Sequence, residues 1–172
     1  CPQVQEYQRD RAAYEEQRRI GDKVWSYTCC FPGGPWLNRL LDQELLRPAL
    51  VGWGTALFRL DGFLHWGFNQ YRNDQDPFMK SVLPNHAGGS NSLPPGDTHI
   101  VYPGKGAPWS SLRLEAHREG FEDHDLIRRL QARNPRKAAG ILKPVVRGFD
   151  RYTKDVRGFR AGRRALLEAL GK

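Results

Sequence analysis

The order of apolar and polar positions divides the chain into short strands and longer helices. Residues 23–30 alternate aromatic and β-branched side chains with smaller ones, which is typical of a strand. The stretch 61–71 begins at a turn and contains a short, almost continuous apolar strand that ends in polar and aromatic groups. Residues 98–102 have the composition of a third strand. A strand that is apolar on both faces is typical of a covered parallel sheet.

Helical periodicity lies between and after these strands. We predict helices over 4–19, 45–60, 111–133, 136–146 (interrupted at Pro144) and 152–170. Residues 72–97 form a long Asn/Asp/Gly/Pro/Ser-rich loop, and a loop of that length is typical of a lid or binding segment. Alternation of helices and strands indicates a parallel α/β sheet.

The helix predicted over 111–133 places two carboxylates on its apolar side. Glu119 and Asp123 share that arc with leucines, and an unpaired buried charge is costly. We predict a structural ion pair that locks the helix to the sheet, with Arg113 as a candidate partner. Gly120 would allow a neighbouring backbone to come close.

Three strands are too few for a closed barrel, which needs eight. We predict the fold class α/β, as the C-terminal part of a (β/α)8 TIM-type barrel with about three parallel strands and extra C-terminal helices. Residues 1–134 would form the βα units of the barrel. Residues 135–172 would form a basic helical extension that packs on it.

Charge is unevenly distributed along the 172 residues. The net charge is +8, but residues 127–172 carry 14 Lys/Arg and 3 Asp/Glu, which gives +11 there and −3 in the remainder. This basic region predicts either a solvated helical face or an anion-binding module. The second alternative predicts salt-sensitive retention on nucleic acid or heparin. We favour the first and expect no nucleic-acid partner, because no aromatic nucleic-acid motif accompanies the charge.

Cysteine, histidine and hydropathy patterns limit the other classes. Cys1, Cys29 and Cys30 do not form a disulfide framework, so we expect free thiols, which favour a reducing, cytoplasmic compartment over secretion. The five histidines lack ligand spacing, so we expect no metal and no cofactor. No apolar run has bilayer length, so we expect no membrane partner.

Several short motifs occur in a specific order. They are Trp25-Ser-Tyr-Thr-Cys29, Gly62-Phe-Leu-His-Trp66 with Asn69, Tyr102-Pro-Gly104, Ser111-Leu-Arg-Leu-Glu115, Arg118-Glu-Gly120 and Glu122-Asp123. From about residue 1 to about residue 130 this series resembles the catalytic domain of glycoside hydrolase family 123. The resemblance implies a (β/α)8 barrel and a β-N-acetylgalactosaminidase-like enzyme that is retaining and substrate-assisted, the acetamido oxygen of the sugar attacking its own anomeric carbon.

The family's catalytic Asp-Glu dipeptide is missing from this sequence. Glu122-Asp123 has the reverse order and lies within a predicted helix, so it is a poor substitute. We therefore expect no catalytic residue in this chain and no activity from it alone. The acid pair would lie in N-terminal barrel strands of the same protein, which would be the chain's partners together with a glycan substrate.

What this segment would supply is a sugar-binding surface, because aromatic faces stack on pyranose rings and exclude water. The candidates are Trp25, Tyr27, His65, Trp66, Asn69, Tyr71 and Tyr102. Packing inside the barrel is the alternative for Trp25 and Tyr27, and a core histidine is the alternative for His65. The competing function is a non-catalytic carbohydrate-binding or scaffold protein on a degenerate barrel.

Overall fold

The parallel sheet of this fold is short and has two strands. The computed structural model describes residues 1–85 and 91–171. Strand β1 (Trp25–Tyr27) pairs in parallel with β2 (Gly62–Leu64), so that Trp25 lies beside Gly62 and Tyr27 beside Leu64. On the other side of β1, Gln3 forms a parallel bridge with Tyr27, whose N–H donates to the carbonyl of Pro2 at 3.0 Å. Three chain segments therefore run side by side in one direction.

The first helical region consists of two helices instead of the single helix predicted over 4–19. Helix α1 (Val4–Arg9) ends at Asp10, and α2 (Arg11–Arg19) begins directly after it. Asp10 has φ −106° and ψ 29°, which is outside the helical region. The periodicity of the side chains continues across this residue, so the pattern does not reveal the break.

Helix α3 (Leu46–Leu57) occupies the centre of the core, within the predicted range 45–60. All its residues from Arg47 to Ala56 are buried. The hydroxyl of Thr55 lies 3.2 Å from the hydroxyl of Ser26 in β1. Helix α3 is therefore apolar on nearly every side because it is surrounded by other elements.

Helix α4 (Leu112–Arg133) crosses α3 at a point where both helices carry glycine. The Ser111 hydroxyl caps α4 by accepting the N–H of Leu114 at 3.1 Å. A Cβ on Gly52 would lie 2.0 Å from the carbonyl oxygen of Gly120, and one on Gly120 would lie 2.1 Å from that of Ala49. The close approach expected at Gly120 is confirmed.

The carboxylates on the buried side of α4 are paired, but the cation is not Arg113. Arg163 donates to Asp123 at 2.9 Å and also to Glu119, while the Trp53 indole donates to Asp123 at 3.0 Å. Arg113 instead donates to the backbone carbonyls of residues 39, 96 and 99. The predicted partner was wrong because the arginine that reaches these carboxylates comes from a later helix, which periodicity within α4 cannot show.

The C-terminal helices pack on this core. Helix α5 (Pro135–Leu142) is capped by Asn134, and α6 (Val156–Leu170) is capped by Asp155, whose side chain accepts two backbone N–H groups. Phe159 of α6 contacts Trp53, with ring centroids 5.6 Å apart. The cap explains why α6 begins later than the predicted residue 152. In the described part of the chain, no helix has both the length and the apolar composition that a membrane span requires. The domain boundary at 134/135 stays a prediction.

The prediction of a third strand over 98–102 was wrong. The N–H groups of Ile100 and Val101 both donate to the carbonyl of Phe68, and Asn69 and His99 form an isolated antiparallel bridge. This segment therefore pairs with the loop that follows β2 and does not extend the parallel sheet. Thr, Ile and Val favour extended backbone, but composition does not determine which segment they pair with.

The long predicted loop contains a small antiparallel pair, β3 (Leu83–Pro84) and β4 (Ser92–Leu93). Residues 86–90 of that loop lie outside the described part. The observed architecture is thus a mixed α/β fold with few strands, two of them parallel.

Candidate functional site

The two faces of the parallel sheet have different surroundings. Ser26 is buried toward α3, and the ring of Phe63 contacts His117 and Phe121 of α4 at 5.1 and 5.6 Å. On the opposite face Trp25 and Leu64 remain 44 % and 45 % exposed. The Trp25 indole lies over Gly62, where a Cβ would come within 2.6 Å of the ring. This exposed face carries the first two predicted sugar-binding residues, Trp25 and Tyr27.

Beyond the C-terminal end of β2, a buried carboxylate lies beside two of the predicted residues, His65 and Trp66. Asp97 has no solvent exposure. Its Oδ2 accepts the indole N–H of Trp66 at 3.1 Å, and its Oδ1 lies 3.4 Å from Nε2 of His65. Trp66 keeps 37 % of its surface exposed. Its indole is therefore fixed at the nitrogen edge while part of the ring stays accessible.

The hydrogen bonds of His65 determine its tautomer. The Nδ1 atom accepts from Nη2 of Arg39 at 2.6 Å and from the N–H of Gly67 at 3.1 Å, so it carries no proton. Burial, and then the charge of Arg39, lower the pKa of His65 to about 2. The neutral ring therefore has its proton on Nε2, which faces Asp97.

The charges of this buried cluster are tuned by burial. Burial and then Arg113 lower the pKa of Arg39 to about 9, and burial raises the pKa of Asp97 to about 6. At neutral pH the cluster contains a cationic Arg39 and an anionic Asp97, separated by a neutral histidine. Sequence analysis missed both charged groups. A visible signal was Arg39 itself, since a cation flanked by Leu37 and Leu40 needs partners if the segment is buried.

Tyr27 lies near the same cluster. Burial raises its pKa above the ordinary value, with further contributions from a hydrogen bond to Cys29 and the charge of Asp97. The sulfurs of Cys29 and Cys30 are 3.8 Å apart, and burial raises the pKa of Cys30 to about 11. Both thiols are free, and the Cys30 thiol is protonated at neutral pH.

The last three predicted residues lie farther out. Asn69 is exposed and bridges to His99 through its backbone. The half-buried rings of Tyr71 and Tyr102 contact the buried ring of His99 from two sides, with centroids 5.9 and 5.1 Å away. Burial lowers the pKa of His99 to about 4, so this ring is neutral at pH 7.

The structure thus brings His65 and Trp66 together around Asp97, and Tyr71 with Tyr102 around His99, while Tyr27 pairs with Leu64, the residue before His65. The side chain of His65 is only 4 % exposed, which gives it the surroundings of a core histidine, the alternative considered for it above. Chemically, the arrangement offers aromatic surface and hydrogen-bonding edges. Asp97 is followed by Thr98 and not by a glutamate, so it is not part of an Asp-Glu pair.

Comparisons with known proteins agree with this architecture. The family model described as the catalytic domain of glycoside hydrolase 123 matches residues 1–130. Among solved structures, the chain resembles a family 123 glycoside hydrolase from Clostridium perfringens, studied for the details of glycolipid glycan hydrolysis. The TM-score is 0.58 at 16 % identity, over 91 % of this chain and 28 % of that one. A search of curated proteins gave no match.

The chain spans little more than a quarter of the length of that structure, and at this identity the likeness concerns the fold alone. The family match is the broader result, since it covers three quarters of the sequence and includes both parallel strands and nearly all of α4. By that match, the chain belongs to glycoside hydrolase family 123.

Proposed function

We propose that this chain is the sugar-binding part of a glycoside hydrolase that acts on glycans ending in an N-acetylhexosamine of the N-acetylgalactosamine type. The reaction would be the retaining, substrate-assisted one, in which the acetamido oxygen of the sugar attacks the anomeric carbon. The Asp-Glu pair would lie in barrel strands outside this chain. Those strands would cover the exposed sheet face and close the barrel.

The observation that carries this proposal is the position of Trp66. Trp66 comes just after the C-terminal end of a parallel strand, which is where barrel enzymes place their sites. The bond to Asp97 fixes the ring before a ligand arrives, and its exposed part is available for the C–H face of a pyranose. An indole whose N–H is already bound serves as a stacking surface and not as a hydrogen-bond donor to the sugar.

Each neighbouring group has its own role in this proposal. Tyr27, with its hydroxyl protonated at all physiological pH values, would donate to the acetamido oxygen. Trp25 would cover the sugar from the exposed sheet face. His65 would act indirectly, since its Nε2 lies 3.4 Å from Asp97, whose other oxygen accepts the Trp66 indole N–H.

The test uses the complete protein that contains this chain. Trp66→Ala should lower kcat/KM toward an aryl β-N-acetylgalactosaminide by at least tenfold, equivalent to about 1.4 kcal/mol, because the stacking surface is lost. The thermal midpoint should also fall, because buried Asp97 loses its indole donor, so kcat/KM is measured well below the midpoint of the variant. Leu167→Ala, which removes a half-exposed side chain from α6, is the matched control and should leave both quantities unchanged.

Two results would contradict the proposal in different ways. A large drop in thermal midpoint with unchanged kcat/KM would assign Trp66 to packing. Glycan binding that depends on Trp66, without hydrolysis by the complete protein and without an Asp-Glu pair elsewhere in it, would support the non-catalytic carbohydrate-binding alternative.

A further inference from the structure

A row of aromatic rings continues outward from the proposed sugar site. The first contacts are those of His99 with Tyr71 and Tyr102. The ring of Tyr102 then lies 4.9 Å from that of Phe78, and Phe78 lies 6.0 Å from Trp109, between ring centroids. His99 is two residues from Asp97, so the row begins beside the buried cluster that holds Trp66. We call Phe78 and Trp109 the outer platform.

Two tight loops hold the outer platform in place. Tyr102 and Trp109 exchange two backbone hydrogen bonds of 2.9 and 2.8 Å, and the Trp109 indole packs against Gly104, where a Cβ would come within 2.2 Å of it. Phe78 follows a turn in which its N–H donates to the Asp76 carboxylate at 2.8 Å. Both rings are therefore positioned by local backbone structure.

Both platform rings are largely exposed. Phe78 is 55 % and Trp109 is 56 % exposed, whereas Trp53 in the core has no exposure. Adjacent exposed aromatic rings form an apolar surface whose removal from water is favourable. Such a patch on a protein surface is typical of a binding site.

The position of the platform indicates its ligand. The ring planes of Phe78 and Trp109 meet at 68°, so the pair offers two exposed aromatic faces, and Tyr102 connects it to His99 near Asp97. Such faces fit the C–H face of a further pyranose of the same glycan. We propose that Phe78 and Trp109 bind a further sugar of the glycan, next to the one held at Trp66. This inference rests on the proposed function, because it takes the site at Trp66 to bind a sugar.

The experiment compares a short and a long ligand on the complete protein. The ligands are methyl β-N-acetylgalactosaminide and a trisaccharide that ends in the same sugar and contains sulfur-linked, uncleavable bonds. Dissociation constants would be measured by calorimetry for wild type, Phe78→Ala, Trp109→Ala and Trp109→Phe. Leu167→Ala is the control for loss of exposed apolar surface.

We expect both alanine variants to weaken trisaccharide binding at least fivefold while monosaccharide binding changes less than twofold. Trp109→Phe should recover part of the loss, because a smaller aromatic face remains. The inference would be overturned if the alanine variants weakened binding of the monosaccharide and the trisaccharide equally, or weakened neither. It would also be overturned if the wild type bound neither ligand. Retention of the wild type on phosphatidylcholine vesicles that the alanine variants lose, with unchanged trisaccharide binding, would also overturn it.

Failure of the proposed function gives a different result. If the complete protein does not hydrolyse the aryl glycoside but its trisaccharide affinity depends on Phe78 and Trp109, the outer platform stands and the hydrolase assignment falls.

Discussion

At the scale of single residues, Asp97 and its neighbours combine charge with complete burial. Asp97 has no exposure and Arg39 only 3 %, while neutral His65 separates them. Such groups tolerate little change, because removing one partner leaves another buried polar group unsatisfied. Their hydrogen bonds therefore fix the geometry that reaches the surface at Trp66.

Buried histidines make the stability of the fold depend on pH. Burial lowers the pKa of His65 to about 2 and the pKa values of His99 and His117 to about 4. Between pH 6 and 5 the unfolded chain binds protons at these rings and the folded chain does not. The free energy of unfolding therefore decreases as the pH is lowered. Asp97 acts in the opposite direction. Its pKa is raised to about 6, so in this range the folded chain binds a proton there that the unfolded chain does not.

The net difference is about two protons, and each contributes about 1.4 kcal/mol per pH unit, so we expect the free energy of unfolding to decrease by about 3 kcal/mol from pH 6 to pH 5. Urea denaturation at the two pH values measures it. In His117→Gln one of these protons is absent, and the decrease should be smaller by about 1 kcal/mol. A variant with the same pH slope as wild type would show that His117 is not responsible.

The sequence predicts individual site residues unevenly. Tyr27 and Trp66 were candidates because aromatic residues stand out at strand ends, and their sugar-binding role stays a prediction. Asp97 and Arg39 could not be assigned to the site, because they come from loops that meet only after the chain folds. The direction of a side chain at the end of a long loop is a tertiary property.

At the scale of elements, the crossing of α3 and α4 fixes the helix layer. Gly120→Ala would place a methyl group 2.1 Å from a backbone oxygen of α3, which no rotamer change can relieve. We expect a loss of about 3 kcal/mol in the free energy of unfolding, at the upper end for overpacking. Urea denaturation of the purified variant measures it.

Gly140→Ala is the matched control for that substitution. Gly140 lies within α5, and a Cβ there would meet no atom within 4 Å. Alanine in an exposed helical position should stabilise the protein by about 0.5–1 kcal/mol. If both variants lost stability equally, the helix crossing would not explain the effect at Gly120.

Elements were predictable where they depend on local sequence. The position of α4 followed from periodicity and its Ser111 cap, and β1 followed from alternation in 23–30. Residues 98–102 were misassigned because their pairing partner is the loop around Phe68, and partner choice is not encoded in strand composition. The Asp123–Arg163 pair was missed for the same reason, since the residues are forty positions apart.

At the scale of the whole molecule, one sheet face is covered by helices and the other carries exposed apolar side chains. Leu64 is 45 % exposed on β2, which is an edge strand of the parallel sheet. Exposed apolar strands favour association with other chains. We expect Leu64→Gln to reduce self-association of this chain, as measured by sedimentation velocity over a range of concentrations.

Leu167→Gln on α6 is the control, because it removes a side chain of 50 % exposure from a helix surface. Equal reductions in both variants would mean that general surface hydrophobicity drives association. No reduction at Leu64 would argue that this face is not where chains meet.

The glycine crossing also limits how relatives of this protein can diverge. Since backbone meets backbone at Gly52 and Gly120, no repacking of side chains can absorb a methyl group there. A homologue with a methyl group at either glycine would have to displace α4. Phe63 would then move as well, because its ring packs against His117 and Phe121 of α4. Mutations at these two glycines should therefore be inherited together with compensating changes in the strand that leads to Trp66.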